Sequence, residues 1–230
     1  MIRFFVILFS GIALLILSPL LVPVSITLRL TGEGEVFFLQ ERIGKGGRKF
    51  KLFKFATMLK NSPNIGTGTV TMRNDPRVLP VGKLLRKTKI NELPQLLNIL
   101  IGDMSVIGPR PLTAQTFEAY SENTQTVIKQ VRPGLSGVGS IIFSSEEEIM
   151  HDVTASVDFY SNVIAPYKGA LEEWFVSKKS LYIYFVAIFV TVWAVFIPST
   201  KIAWRVFNDL PEPPSQLRQP LNYSMSNEEN

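Results

Sequence analysis

The stretch Phe4–Leu28, FFVILFSGIALLILSPLLVPVSITL, decides how the chain is read: none of its 25 residues is charged. As a helix it would be about 37 Å long at about 1.5 Å per residue, against a hydrocarbon layer of about 30 Å. Arg3 and Arg29 bracket it. It is longer than the apolar core of a secretory signal, and no small-residue cleavage site follows, so it reads as a membrane anchor. Ser18, Pro19 and Pro23 interrupt its middle. Proline removes a backbone donor and clashes with the carbonyl four residues earlier, so a kink is expected at Ser18-Pro19. Two geometries follow. The helix spans, or it enters the bilayer, bends and returns to the same face, with the Ser18 hydroxyl serving a freed backbone group.

Charge follows the anchor closely. From Arg42 to Lys89 there are thirteen Lys or Arg residues against one acid, Asp75, a local net charge of +12 in a chain whose formal net charge is +5. Lys and Arg next to an apolar segment stay in the cytoplasm and face an anionic leaflet. A second apolar run, Leu181–Pro198, holds no charge and is flanked by Lys178, Lys179 and Lys201. At 18 residues it is at the short limit for spanning. There is no cysteine, which excludes disulfides, thiolate catalysis and thiolate zinc sites. The single histidine, His151, excludes multi-histidine metal centres, and no nucleophile elbow lies near it to make a hydrolase.

Between the apolar runs the pattern is α+β. Val36–Leu39 reads as a short strand, Phe50–Phe55 as a strand alternating Phe or Leu with Lys, and Gly44, Gly46 and Gly47 as the hairpin turn between them. Asn61–Thr69 reads as a loop. Gly82–Leu100 has apolar residues at Leu84, Leu85, Ile90, Leu93, Leu96, Leu97 and Leu100, close to a 3.6 period. Pro94 belongs in a first turn, so a new helix is expected near Asn91, with Asn91 as N-cap and Glu92 in the first turn. A helix start favours anions. Glu92 there, just after Arg86, Lys87 and Lys89, suits a cationic cluster or a divalent metal. In Gly108-Pro109-Arg110-Pro111 two prolines flank one arginine, which fixes its direction cheaply, and the guanidinium fork suits phosphate oxygens.

These residues carry a resemblance to the bacterial sugar transferases, the monotopic phosphoglycosyl transferases. The matching pieces run in order: Ser18-Pro19 in the apolar start, Val36-Phe37-Phe38 to Gln40, Arg42-Ile43-Gly44, Lys54-Phe55, Asn74-Asp75-Pro76-Arg77, Gly82 and Leu85-Arg86-Lys87-Thr88. Then come Glu92-Leu93-Pro94-Gln95-Leu96, Asn98, Gly102-Asp103-Met104-Ser105, Gly108-Pro109-Arg110-Pro111 and Arg132-Pro133-Gly134. The resemblance covers about residues 5–137. It implies transfer of a sugar 1-phosphate from a UDP-sugar to polyprenyl (undecaprenyl) phosphate, release of UMP, a Mg²⁺ requirement and a role as first membrane step of bacterial glycan assembly. It also implies a re-entrant helix broken at Ser18-Pro19 and an active site on the cytoplasmic face of the inner membrane. Lys54, Arg86, Arg110 and Arg132 are the cations it offers to the phosphates. Asp75 and Asp103 are acids that orient a cation or assist the metal, and Glu92 is the candidate metal ligand.

The chain departs from that family at one decisive place. The family's catalytic dyad is Asp-Glu, and here the positions read Asn91-Glu92. A carboxamide is a far poorer nucleophile and Mg²⁺ ligand than a carboxylate. Ala56 also stands where the family has an arginine. Four readings stay open. Glu92 serves as nucleophile or base, another acid such as Asp103 organises the site, the chain is an inactive relative scaffolding a glycan assembly complex, or Asn91 is a trap in an active parent. The expected organisation is a re-entrant helix over 1–30, a basic cytoplasmic catalytic core over 31–140, interfacial helices over 141–209 and a disordered tail over 210–230. The expected partners are UDP-sugar, polyprenyl phosphate and an anionic membrane, not nucleic acid. Self-association and docking to glycan assembly enzymes are left open.

Overall fold

The computed structural model describes residues 2–65, 75–144, 159–196, 201–207 and 209–223. They form a mixed helix and sheet protein in two compact units, one of residues 1–42 and 49–104, the other of residues 43–48 and 105–230.

The first unit opens with α1, Ile2–Leu30. Among the described residues it is the one helix long and apolar enough to cross a membrane, and most of its surface is bare. The helix continues through Pro19 and Pro23 and does not stop at the expected break. Side-chain hydroxyls support it there. Pro19 leaves the Leu15 carbonyl without its usual donor, and the Ser18 hydroxyl donates to that carbonyl at 2.7 Å. Ser25 and Thr27 donate in the same way to Leu21 and Pro23. Two ends of α1 are tied down. Leu28 is buried with Phe55 and Leu85, and the Arg3 guanidinium donates to the carbonyls of Ile99 (2.6 Å) and Leu100 (2.9 Å).

The expected hairpin is present. β1 is Phe37–Ile43, β2 is Lys49–Phe55, and the Lys45–Gly47 turn joins them. Phe37 stacks on Phe55 with ring centroids 5.7 Å apart. Helix α2, Pro80–Lys87, follows, started by proline at its first position. A Cβ at Gly82 would fall 2.1 Å from the Thr57 carbonyl oxygen, so only glycine lets α2 pack this close.

The periodic stretch 82–100 is not one helix. After α2, Lys89 takes a left-handed conformation (φ 59°) and turns the chain into a single 3₁₀ turn, Ile90–Glu92. Helix α3, Gln95–Ile101, starts at Pro94. Asn91 therefore does not cap it, contrary to expectation: proline sets the first turn three residues later, and no hydrogen bond reaches Asn91 Oδ1. The fully buried Asn98 joins α3 to β2. Its Nδ2 donates to the Lys51 carbonyl (2.8 Å) and its Oδ1 accepts from the Phe53 N–H (2.9 Å).

In the second unit β3, Ser105–Ile107, lies parallel to β4, Gly134–Ser136. Between them are α4, Ala114–Glu118, and α5, Glu122–Ile128. Thr113 and Ser121 cap these two helices through their hydroxyls. Helices α6 (Val138–Ile142), α7 (Ala165–Ser177) and α8 (Leu181–Phe196) complete the core. The 16 described residues of α8 rise about 24 Å. One face of α8 is committed to the protein. Tyr184, Ala187 and Val190 are buried, Tyr184 bonds Ser105 (3.0 Å) and Thr191 bonds Ser136 (2.9 Å). Tyr182, Phe185, Phe189 and Trp193 form the bare face.

Past α9, Lys201–Val206, residues 210–223 differ from the expected disordered tail. Their prolines and polar residues read as unstructured. Yet Leu217, in the short helix α10 (Ser215–Arg218), and Leu221 are fully buried, and Pro211 accepts from the Tyr167 hydroxyl at 2.8 Å. Burying each leucine contributes roughly 1.5–3 kcal/mol, enough to seat a short segment. Residues 224–230 and His151 lie outside the described residues.

Candidate active site

The 3₁₀ turn Ile90–Glu92 is seated on the cluster of Leu28, Phe55 and Leu85, into which Ile90 packs. This positions two neighbouring side chains. Glu92 meets Lys54 of β2 in an ion pair (Nζ–Oε1 3.2 Å), with about a fifth of each side chain exposed. Asn91, only 8% exposed, leaves its Oδ1 buried without a hydrogen-bond partner. An orphaned buried acceptor costs on the order of 1–3 kcal/mol unless something donates to it or binds it. The structure thus brings together two of the residues singled out in the sequence, Lys54 and Glu92, with Asn91 next to Glu92 in the chain.

The other candidates of the first unit have different neighbours. Arg86 is half-buried, with Nη1 3.8 Å from Met58 Sδ. Asp103 lies 3.4 Å from Asn98 Nδ2. Asp75 is locked in a buried pair with Arg77. Its Oδ2 meets Nη2 at 2.6 Å, and its Oδ1 accepts from Nε (2.9 Å) and from the Arg77 N–H (3.0 Å). Arg77 also donates to the carbonyls of Ser62 and Ile65, so this pair closes a loop. The carboxylate's hydrogen bond and charge raise the Arg77 pKa further above its ordinary value against the effect of burial. Asn74, the motif's first residue, lies outside the described residues.

Arg110 and Arg132 belong to the second unit, and both are exposed. Arg110 stands out because its neighbours Gly108, Pro109 and Pro111 are buried. An exposed arginine thus sits in a segment whose other residues are buried. Arg110 also borders a cavity of about 20 Å³ walled by Pro109, Leu112, Phe117, Lys129 and Pro133, room for about one water and no nucleotide.

Sequence reading missed Glu172 of α7. It is 4% exposed, accepts the backbone N–H of Arg110, and has an Oε2 that is buried and unpartnered. Burial pushes its carboxyl up to about 7, against the opposing pull of the Arg110 N–H and of the Lys168 and Arg110 charges. The available signal was register: Glu172 falls in step with the buried positions Ala165, Gly169 and Phe175 of α7.

For a divalent cation the described residues offer no group of three or more His, Asp and Glu side chains. Magnesium, however, commonly takes one or two protein oxygens and completes its shell with water and substrate phosphate. The Glu92 carboxylate and the orphaned Asn91 Oδ1 fit that smaller requirement.

The family model described as bacterial sugar transferase matches residues 1–198. An N-acetylgalactosaminephosphotransferase of Aeromonas hydrophila, named as acting from UDP-N-acetylgalactosamine on undecaprenyl phosphate, is 40% identical over 138 residues, 59% of this chain and 32% of that one. The exopolysaccharide production protein ExoY of Rhizobium meliloti is 37% identical over 153 residues, 60% of this chain and 67% of that one. The UDP-glucose:undecaprenyl-phosphate glucose-1-phosphate transferase of Escherichia coli is 35% identical, over 65% of this chain and 33% of that one. The matched region is thus about a third of two of these relatives and two thirds of ExoY. The chain belongs to the bacterial sugar transferase family.

Proposed function

We propose that the protein transfers a sugar 1-phosphate from a UDP-sugar to undecaprenyl phosphate at the cytoplasmic face of the inner membrane. An acceptor phosphate oxygen forms a bond to the sugar-bearing phosphorus, the bond from that phosphorus to the uridylyl phosphate oxygen breaks, and UMP leaves. The carrying observation is the Lys54–Glu92 ion pair on the turn that also holds Asn91, whose buried Oδ1 has no hydrogen-bond partner among the described residues, in a chain of this family. Lys54 supplies a cation to the crowded phosphates, and Arg110 is read from its own motif as a phosphate cation. Bound by Glu92 and Asn91 Oδ1, Mg²⁺ would neutralise diphosphate charge. Asn91 cannot act as the family's aspartate does, so Glu92 is the carboxylate of this site.

The length and apolar surface of α1 support membrane association, and its anchorage supports a re-entrant course. Arg3 at one end and Leu28 at the other are both held by the first unit. A helix gripped at both ends by one compact body fits a loop into one leaflet better than a span. A cysteine at position 2 labelled only from the periplasmic side would refute the re-entrant course.

The test of function is UMP release by the purified chain, given undecaprenyl phosphate, Mg²⁺ and a panel of UDP-sugars. Turnover is expected from the unmodified chain and lost in Glu92→Gln. Turnover seen only after Asn91→Asp would refute the proposal for this chain as it stands.

A further inference from the structure

Among the described residues of the second unit, Glu172 is the buried charged side chain. Its surroundings are built around it. A Cβ at Gly139 would fall 2.6 Å from Oε1, so the start of α6 must be bare backbone for the carboxyl to fit. The nearby Lys168 ammonium lies over the rings of Phe143 (4.9 Å) and Tyr160 (5.8 Å). Oε2 has no hydrogen-bond partner among the described residues. A leucine or methionine would pack there without these costs.

What the carboxyl does gain is the Arg110 N–H. In Gly108-Pro109-Arg110-Pro111 the two prolines have no N–H, so the segment owns only two backbone donors. Gly108 spends its donor on the Ser136 carbonyl of β4 (3.0 Å), and Pro109 accepts from Gly134 (2.8 Å). The first half of the segment is thereby fixed to the sheet. The second half, which carries the arginine, is fixed through Glu172. With φ set at Pro109 and Pro111, the remaining freedom is rotation about the Arg110 backbone, and the carboxyl removes it.

We propose that Glu172 is a positioning residue for Arg110: by holding that one N–H it sets the direction in which the guanidinium meets the diphosphate of a nucleotide donor. The inference rests on the reading of Arg110 as a phosphate cation. Equilibrium binding of UDP to the purified full-length chain with Mg²⁺ tests it without requiring turnover. Arg110→Ala and Glu172→Ala should each weaken UDP about tenfold, the scale of one misplaced charge-assisted contact. The number of binding sites should stay unchanged, and Glu172→Ala should add nothing in the Arg110→Ala background. Glu172→Gln, which keeps an acceptor oxygen at the same reach, should restore affinity to within about threefold, whereas Glu172→Asp, one methylene shorter, should not.

A lower number of sites at unchanged affinity in Glu172→Ala would mean a purely structural residue and overturn the inference. So would multiplicative losses in the double variant. If Glu172→Ala does not fold, the Gln and Asp pair decides: wild-type affinity in Asp with loss in Gln refutes it. Unchanged affinity in Arg110→Ala refutes the reading of Arg110 and the inference together, whereas a loss confined to Arg110→Ala refutes only the role of Glu172.

Discussion

Replacing Asn98 should damage this protein more than its modest size suggests. Its carboxamide is fully buried and serves two backbone groups of β2, the Phe53 N–H and the Lys51 carbonyl, from a different element. In Asn98→Ala both lose their partner. Each orphaned group costs roughly 1–3 kcal/mol, and the lower half of that range applies because Lys51 is exposed enough for water to reach its carbonyl. The expected loss is therefore about 2–4 kcal/mol. At roughly 2–4 °C per kcal/mol for a chain of this size, that lowers the melting temperature by about 4–16 °C. Asn98→Asp is the sharper probe. It keeps the acceptor for Phe53 but turns a carboxylate oxygen toward the Lys51 carbonyl and toward Asp103 Oδ2, acceptors that now stand 2.8 and 3.4 Å from the amide nitrogen. At pH 7 it should be at least as unstable as the alanine variant, and it should recover as pH falls, because a protonated acid can again donate to Lys51. Thermal unfolding in detergent, followed by tryptophan fluorescence at pH 5 and pH 8, measures both. An alanine variant melting within 2 °C of the parent would refute the reasoning, as would an aspartate variant whose deficit ignores pH.

Three further outcomes are expected. Lys54→Met should cost UMP release at least about tenfold while changing stability by about 1 kcal/mol or less, since the ion pair is partly solvated; equal loss of melting temperature and activity would make Lys54 structural. Arg77→Ala should destabilise by about 3–5 kcal/mol in urea titration, because it removes the guanidinium paired with the buried Asp75 carboxylate and the donor of two carbonyls; a drop under 1 kcal/mol contradicts that. Glu172 holds its proton in the folded state up to about 7, against an ordinary 4.5, so the unfolded chain loses that proton first as pH rises. Stability should fall from about pH 4.5 to about pH 7, by about 3 kcal/mol, and level off above. Glu172→Gln should remove that slope, and identical pH profiles for the two proteins would show that the carboxyl does not titrate this way.

Features that depend on neighbours in sequence were legible. The charge-free run became α1, the Phe–Lys alternation became β2, and proline on either side of Arg110 meant a rigid arginine. Lys54 and Glu92 were named from motifs, and their contact is a tertiary fact that spacing does not encode. The misplaced cap has a local cause. Asn91 has the composition of an N-cap, but Lys89 in a left-handed conformation and Pro94 at the helix start move the boundary. Left-handed lysine leaves no compositional trace. Asp75 read equally well as a metal-side acid or a salt bridge, and the choice turned on Arg77 folding back two residues. Glu172 was invisible because its meaning lies in the Arg110 N–H, a partner far away in sequence. In the segment 210–223, polar and proline-rich composition outweighed two leucines whose burial sites are made by other elements.

The serine before Pro19 has a mechanical meaning. A backbone bond between residues 15 and 19 does not exist, and the Leu15 carbonyl is already served by the Ser18 hydroxyl. Flexing α1 at this point therefore breaks no ladder bond, and Pro23 removes the next one, to the Pro19 carbonyl, so the soft stretch runs over about one turn. As the anchor proposed above, a helix built this way need not match one bilayer thickness: it can bend over this stretch while Arg3 and Leu28 stay held.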